Sequence, residues 1–347
     1  MKKLPITEKP WIQAYHMRNF ELGVMQHKTP WIYAKYINCY YNHNPKSKII
    51  FDHCISTSGR FFSREKAMFF QRFILKNEIF KLGVMDFVEW TKDFLDKDWY
   101  VLGYFDEYHI KAKEAYGKYH FRHGIFIYGY DDAEELFYGI GYVDFAKYKT
   151  FTFSYDEFRL ALPTDFDREN EKFNPHDIDL IQFNVVKENP DYKFEFNLKE
   201  VYTCISDFLN SRDSFVEGRK DLVYGIECER EFANYILDSK NSYLDIRYSR
   251  LFMELKDIMV RRLNYLVEIN ALSPNIVEEY KEIAKMQTTV HLLFIKYELR
   301  RKEDIPAHAA AIINNIIEAE LKILPKICDA LRPIVEDNEK KKGEYLK

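Results

Sequence analysis

The chain has 347 residues, which is long for a single hydrophobic core and predicts two domains of ordinary size. Hydrophobic residues make up 47% of the sequence, so a largely disordered chain is excluded. The chain has only 12 glycines and 11 prolines, which is too few for the many turns of an all-β sandwich and for a Gly-rich nucleotide-binding protein. The formal net charge of −4 gives no overall attraction for nucleic acids or anionic membranes.

Five cysteines are spread along the chain without a CxxC pair or a regular spacing. Such a sparse, odd-numbered set is typical of cytosolic proteins and not of a disulfide framework. The first residues carry two lysines without a following apolar run, so we expect no signal peptide there. No apolar stretch approaches the roughly 18 residues that span a bilayer. The sequence therefore predicts a cytoplasmic protein without a membrane partner.

Residues 1–197 combine short strand-like runs with a few helical segments. Runs rich in β-branched and aromatic residues predict strands over 46–54, 99–108, 124–130, 135–144, 149–153, 178–185 and 192–197. Apolar positions within 83–97 share one helical face, and Ser154 with Glu157 forms a capping-box pattern before a second, short helix. The polar stretch 164–177 is typical of a loop. We therefore expect an α+β domain over 1–197, built on a mostly antiparallel sheet.

From residue 198 onward, apolar residues repeat with a helical period. N-cap residues and prolines mark the starts of three long helices, at Ser242 with Asp245, at Ser273 with Pro274, and at Pro306. Long helices with short polar connections are typical of an antiparallel bundle. We therefore expect an all-α helical bundle over 198–347, with a charged C-terminal tail from Glu336 that frays.

Residues 120–144 predict a β-hairpin whose turn lies at 131–134. With the turn centred near residue 133, His123 lies opposite Val143 and beside Asp144. A neighbouring carboxylate fixes the tautomer of an imidazole and favours the imidazolium, as a catalytic histidine requires. The alternative interpretation is a half-exposed polar histidine at a strand start and ordinary turn chemistry for Asp144.

His120 and His123, together with Asp52 or His53, are the residues that raise the question of a metal site. The i, i+3 spacing of the two histidines at a loop-to-strand junction matches no standard zinc pattern. The sequence therefore predicts no metal and no cofactor.

Three strings follow one another in the first domain: WYVLGYFDEY (99–108), HFRHGIFIYGYDD (120–132) and LFYGIGYVD (136–144). Two more follow in the helical part: YGIECEREFANYI (224–236) and DIMVRRLNYL (257–266). The order of these strings resembles the butirosin-biosynthesis acyltransferase family. The resemblance implies a papain-like, cysteine-peptidase-like fold over 1–197, with Asp106 after the first core strand, His123 opening the next strand and a GYD turn at 129–131. It also implies transfer of an acyl group from a carrier-protein phosphopantetheine thioester to an amine in natural-product biosynthesis.

That chemistry requires a thiolate, and here the sequence departs from the family pattern. The family's nucleophilic cysteine lies near the start of the chain, and a papain-type nucleophile sits at a helix N-terminus, where the dipole lowers the thiol pKa. The first predicted helix, 17–27, contains no cysteine. Cys39 is the earliest thiol and Cys54 the second candidate. Cys39 lies either at the far end of a helix started by Thr29–Pro30 or at a turn after a strand over 31–37.

Three functions follow from these observations. In the first, a carrier-protein-dependent acyltransferase or amide synthase uses Cys39 as nucleophile, His123 as base and Asp144 to orient His123. Its partners are an acyl or peptidyl carrier protein and a small amine. In the second, the same scaffold hydrolyses a thioester or a peptide. In the third, a degenerate papain-like domain is a non-catalytic accessory or binding protein of a biosynthetic assembly.

Overall fold

The computed structural model describes residues 1–44, 50–54, 70–76, 85–144, 147–162, 182–214, 221–238 and 243–345. The chain divides into two compact units, each discontinuous in sequence. The first unit comprises Met1–Pro10, His16–His27 and Ala67–Lys193, and the second comprises Trp11–Tyr15, Lys28–Lys66 and Phe194–Lys347. The segment that contains Cys39 therefore groups with the C-terminal helices, whereas the sequence division places it in the first domain.

The architecture is α+β, with an antiparallel sheet in the first unit and mostly helices in the second. The described strands are β1 (Lys2–Lys3), β2 (Cys39–Asn42), β3 (Phe51–His53), β4 (Phe70–Lys76), β5 (Tyr100–Asp106), β6 (Arg122–Asp131), β7 (Leu136–Val143), β8 (Lys147–Ser154), β9 (Gln182–Glu188) and β10 (Leu222–Tyr224). The described α-helices are α1 (His16–Met25), α2 (Thr29–Ile32), α3 (Phe87–Asp96), α4 (Tyr155–Leu160), α5 (Leu198–Leu209), α6 (Gly225–Asp238), α7 (Ile246–Glu268), α8 (Pro274–Arg300) and α9 (Asp304–Tyr345).

The sheet of the first unit has the order β4-β9-β5-β6-β7-β8 among the described strands, with β1 added beside β6. Every residue of β5 is buried, as expected for a central strand that is covered on both faces. On one face, the rings of Phe105, Phe153, Phe158 and Phe183 pack against one another. The antiparallel sheet expected from the sequence is confirmed.

The hairpin of β6 and β7 is confirmed as well. Phe126 faces Ile140 and Ile127 faces Gly139, which is the register that the predicted turn centre gives. A bulge between Ile127 and Gly129 shifts the pairing closer to the turn. The hairpin places His123 near the start of β6, beside the end of β5.

The predicted capping box is present at the start of α4. The side chain of Ser154 accepts the backbone N–H of Glu157, and the side chain of Glu157 accepts the backbone N–H of Ser154. Asp245 caps α7, and Pro274 is the first residue of α8 after Ser273, as the sequence predicts. The predicted cap Ser242 and the predicted loop 164–177 lie outside the described residues.

The strand predicted over 192–197 is wrong, because this segment has no strand partner and leads directly into α5. Phe194 packs edge-on against Trp31, with ring centroids 5.2 Å apart, and Phe196 packs against Tyr265 at 4.9 Å. The side chain of Asn197 caps α5. The alternating aromatic residues therefore attach a connecting segment to the second unit instead of forming a β-ladder.

The last helix, α9, continues to Tyr345 and includes most of the charged segment that the sequence predicts to fray. Ion pairs accompany this part of the helix, with Lys341 2.7 Å from Asp337 and Lys199 of α5 2.6 Å from Glu339. None of the helices in the described part of the chain combines the length and the apolar composition needed to cross a membrane.

The helical core of the second unit contains a charged side chain from each of three helices. Lys256 of α7 contacts Glu229 of α6, and its Nζ lies 2.6 Å from Oε1 of Glu320 of α9. Tyr280 of α8 donates a hydrogen bond of 2.5 Å to Glu320. Burial, followed by the charge of Glu320, raises the pKa of Glu229 well above its usual value and favours its protonated form. The network therefore joins four helices and approaches electrical neutrality.

Arg262 of α7 connects this helix to the segment that precedes Cys39. Its side chain is fully buried and donates hydrogen bonds to the backbone carbonyl groups of Tyr33, at 2.5 Å, and Lys35, at 2.8 Å. Burial lowers the pKa of this guanidinium to about 10. The two carbonyl oxygens therefore accept hydrogen bonds from a guanidinium group that has no contact with solvent.

We expect Lys256→Met to lower the free energy of unfolding by about 3–5 kcal/mol, because the substitution leaves the carboxylate of Glu320 buried without its cation. Urea unfolding followed by circular dichroism measures the loss. Lys285→Met is the matched control, since Lys285 is an exposed helical lysine paired with an exposed carboxylate, and its replacement is expected to leave the free energy of unfolding almost unchanged. Equal losses in the two variants would show that the network contributes nothing.

Candidate functional site

Strand β5 ends in Asp106, which shapes the loop that follows. The carboxylate oxygen Oδ1 accepts the backbone N–H of Tyr108 and the backbone N–H of Phe121, each at 3.1 Å. The first bond caps a 3-10 turn over Glu107–His109, and the second joins the two ends of the loop. Asp106 therefore stabilises the backbone of the loop through one of its two carboxylate oxygens.

The other oxygen of Asp106 faces two histidines. Its Oδ2 lies 2.6 Å from Nδ1 of His120 and 3.9 Å from Nε2 of His109. The ring of His120 stacks on Tyr108, with centroids 4.4 Å apart and planes 23° from parallel. Burial acts to raise the pKa of Asp106, but the hydrogen bonds from His120 and from the backbone outweigh burial and leave the pKa below its usual value.

The adjacent carboxylate, Glu107, serves a separate group of side chains. Its Oε1 lies 3.1 Å from Nδ1 of His123 and 2.9 Å from Nζ of Lys113. The Lys113 side chain is entirely inaccessible to solvent, and its Nζ also donates to the carbonyl oxygen of Tyr142 at 2.7 Å. Burial opposes ionisation of Glu107, but His123 and Lys113 overcome burial and lower its pKa. Glu107 is therefore an ionised, buried carboxylate.

Glu107 contacts the imidazole of His123 at Nδ1, and Tyr142 packs against the face of the ring. Tyr142 stacks on the ring at 5.6 Å with planes 12° from parallel, and the Tyr142 hydroxyl accepts a hydrogen bond of 3.0 Å from Asn19. The His123 side chain is 21% exposed, so the ring is partly accessible from solvent. A histidine whose Nδ1 is held by a carboxylate exchanges protons at Nε2, and this arrangement suits general acid–base chemistry.

Asp144, the carboxylate that the sequence places beside His123, is an exposed residue directly after the end of β7. Its backbone φ is 40°, and its carboxylate pairs with the amine of Lys149, which lowers the Asp144 pKa. The carboxylate in contact with His123 is that of Glu107. Asp106 is the last residue of the fully buried strand β5, and Glu107 is the next residue. These two adjacent carboxylates at a strand end were the sequence feature that could have indicated a carboxylate partner for His123.

Cys39, the predicted nucleophile, is the first residue of β2 in the second unit and is completely buried. Helix α2 ends at Ile32, so Cys39 lies neither at the end of that helix nor at a turn after a strand over 31–37. Its Sγ lies 3.9 Å from the carbonyl oxygen of Gly225, and its thiol also contacts the thiol of Cys228. Its role as nucleophile stays a prediction.

The other four cysteines are buried like Cys39. All five cysteines lie in the described residues, all are buried, and none forms a disulfide. Burial is the main cause that raises the pKa of Cys54, the second candidate nucleophile, well above its usual value, and the nearby charge of Asp213 adds to it. Burial also raises the pKa of Cys328, to about 11. A raised pKa disfavours the thiolate that nucleophilic attack requires.

The sequence matches no known protein-family model and no curated protein sequence. Two neighbouring carboxylates contact three histidines and a buried lysine, which lie on the loop between β5 and β6 and at the start of β6.

We expect Lys113→Met to destabilise the protein by about 3–5 kcal/mol, because the Glu107 carboxylate then stays buried without its cation. Urea unfolding at pH 7 measures the change. Lys118→Met, at an exposed position of the same loop, is the matched control and changes stability by less than about 0.5 kcal/mol. A Lys113 variant as stable as the control would contradict the assigned ion pair.

Proposed function

We propose that the protein is an acyltransferase that forms an amide from a carrier-protein phosphopantetheine thioester and a small amine. The observation that carries the proposal is the contact between Nδ1 of His123 and the buried carboxylate of Glu107. The papain-like fold belongs to the same proposal and is supported by an antiparallel sheet with a histidine near the start of a central strand. Natural-product biosynthesis in the cytoplasm is the setting that we propose with it.

Acyl transfer to an amine needs one group that accepts and returns a proton. The amine nitrogen attacks the thioester carbonyl carbon, and Nε2 of His123 takes the proton that the nitrogen loses. The tetrahedral intermediate then collapses, the C–S bond breaks, and the imidazolium returns the proton to the departing thiolate. The products are an amide and the free pantetheine thiol, so no oxidant, metal or further reactant enters the balance.

Glu107 gives His123 the properties that this cycle requires. Its negative charge stabilises the imidazolium that forms after proton transfer, and its contact with Nδ1 directs Nε2 to the reacting atoms. Lys113 keeps the carboxylate in place, since it binds Glu107 and the Tyr142 carbonyl together. In this proposal Glu107 has the orienting role that the sequence analysis assigns to Asp144.

The acyl group has an apolar surface beside His123. Tyr119 and Phe121 of the same loop are 53% and 45% exposed, and their ring centroids lie 6.4 Å apart. The ring of Phe121 lies 5.3 Å from the ring of His123. Large exposed aromatic side chains next to a polar site favour a ligand with an apolar part, such as an acyl chain on a pantetheine arm.

We propose direct transfer from the thioester to the amine, without an acyl-enzyme. The burial of Cys39 and its contacts with Gly225 and Cys228 support this route, as does the raised pKa of Cys54. A pantetheine thioester is already activated, so a positioned base is sufficient for attack by an amine.

We expect His123→Ala to reduce amide formation from an acyl-pantetheine thioester and a primary amine by about 10²–10⁴-fold. Glu107→Gln lowers kcat more than it changes KM, whereas Asp144→Asn keeps the wild-type rate. Mass spectrometry measures the amide, and circular dichroism confirms that each variant is folded. His308→Ala, at an exposed position of α9, is the control for replacement of a histidine.

Three results would contradict this proposal. A wild-type rate in His123→Ala removes the assigned base. Equally fast release of the free acid without any amine identifies a hydrolase. No reaction with any thioester, combined with binding of a carrier protein, identifies a non-catalytic accessory protein.

We expect Cys39→Ala to retain amide formation within about threefold of the wild-type rate, because a buried thiol serves packing and not chemistry. Intact-mass spectrometry of the wild-type protein with thioester and no amine then shows no acyl adduct. An adduct that an amine discharges, together with an inactive Cys39→Ala variant, would establish the covalent route and overturn direct transfer.

A further inference from the structure

Asp106, His109 and His120 come together at one side of the loop after β5. One possible ligand atom from each of these residues lies within 4.8 Å of the others. None of the three is used in the proton transfer proposed for His123. We propose that they bind a divalent transition metal, for which Zn²⁺ is the best chemical match.

The separations between the Asp106 oxygen and the two histidine nitrogens are close to those around a tetrahedral ion. Nitrogen and oxygen ligands bind Zn²⁺ at about 2.0–2.1 Å, which places neighbouring ligand atoms roughly 3.3 Å apart. The observed distances from Asp106 Oδ2 are 2.6 Å to His120 Nδ1 and 3.9 Å to His109 Nε2, and these values bracket the required one. Small side-chain rotations are therefore sufficient to admit the ion.

The loop holds the ligands in place before an ion arrives. Two backbone N–H groups bind Oδ1 of Asp106, so Oδ2 is the oxygen directed to the histidines. The 3-10 turn places His109 three residues after Asp106, and the ring of Tyr108 supports His120 from its face. Hydrogen bonds and packing around the ligands are typical of metal sites, in which they fix ligand orientation.

The ligand set also limits the identity and the coordination of the ion. Two imidazoles and one carboxylate favour Zn²⁺, Co²⁺ and Ni²⁺ over Ca²⁺ or Mg²⁺, which prefer oxygen ligands. Three protein ligands leave one position open to water or to a small ligand, as in catalytic zinc sites. The His120 side chain is 56% exposed and that of His109 is 28% exposed, so the open position is accessible to solvent.

The sequence analysis considered His120 and His123 together as possible metal ligands, but the two histidines have different partners. In the structure, His123 belongs to Glu107, and the partners of His120 are Asp106 and His109. An Asp-x-x-His spacing on a tight turn, with a second histidine eleven residues later, forms the group only after the loop closes.

The test is metal binding by the full chain after treatment with a chelator. Titration with Co²⁺, followed by its visible d–d absorption, and calorimetric titration with Zn²⁺ are expected to give one ion per chain with a tetrahedral spectrum. His109→Ala and His120→Ala each weaken Zn²⁺ binding about tenfold or more and abolish the rise in Tm that Zn²⁺ causes. His308→Ala, an exposed histidine far away in sequence, leaves binding unchanged and is the control.

Two results would overturn the proposal. One is the absence of Co²⁺ and Zn²⁺ binding by the wild-type protein. The other is binding that persists in the double variant His109→Ala/His120→Ala, which assigns the ion to other residues. Since binding and absorption are measured without a substrate, the outcome is independent of the acyl-transfer assay.

Discussion

The ion pair between Lys113 and Glu107 is the interaction on which the loop after β5 depends. Both side chains are almost completely removed from water, and the desolvation of such a pair is offset only when further hydrogen bonds satisfy its remaining atoms. The Tyr142 carbonyl group supplies one of these bonds, and His123 supplies another. Opening of the loop leaves a buried charge without its partner, so the position of His123 is strongly fixed.

Asp106 complements this ion pair from the neighbouring position. It binds the backbone at Tyr108 and Phe121 and thereby closes the loop around the 3-10 turn. Consecutive carboxylates with different partners therefore organise two groups of side chains around one loop: His123 and Lys113 at Glu107, and His109 and His120 at Asp106. The first group is the one proposed for amide synthesis, and the second is the one proposed to bind a metal ion.

The second unit follows the same physical rule in its helical core. Lys256 binds one carboxyl oxygen each of Glu229 and Glu320 from two other helices, and Tyr280 adds a hydrogen bond from a fourth. A buried charge that is matched by several helices tolerates few alternative packings, which is consistent with a structural role for this network. The thiol of Cys39 lies in an equally dry environment, where packing and not reactivity is the expected role.

The sequence alone determined the elements whose signals are local. Two apolar runs on either side of a turn at 131–134 were sufficient for the hairpin and for its register at Phe126 and Ile127, and the helical period from residue 198 was sufficient for the long helices. Aromatic alternation at Phe194 and Phe196 was misleading, because rings pack equally well from a segment outside any sheet. Only the tertiary structure decided which carboxylate holds His123 and which residues surround His120. Those contacts depend on the path of the loop between β5 and β6, and that path is fixed by the buried charges of Glu107 and Lys113, which also bind His123 of β6 and the carbonyl group of Tyr142 of β7.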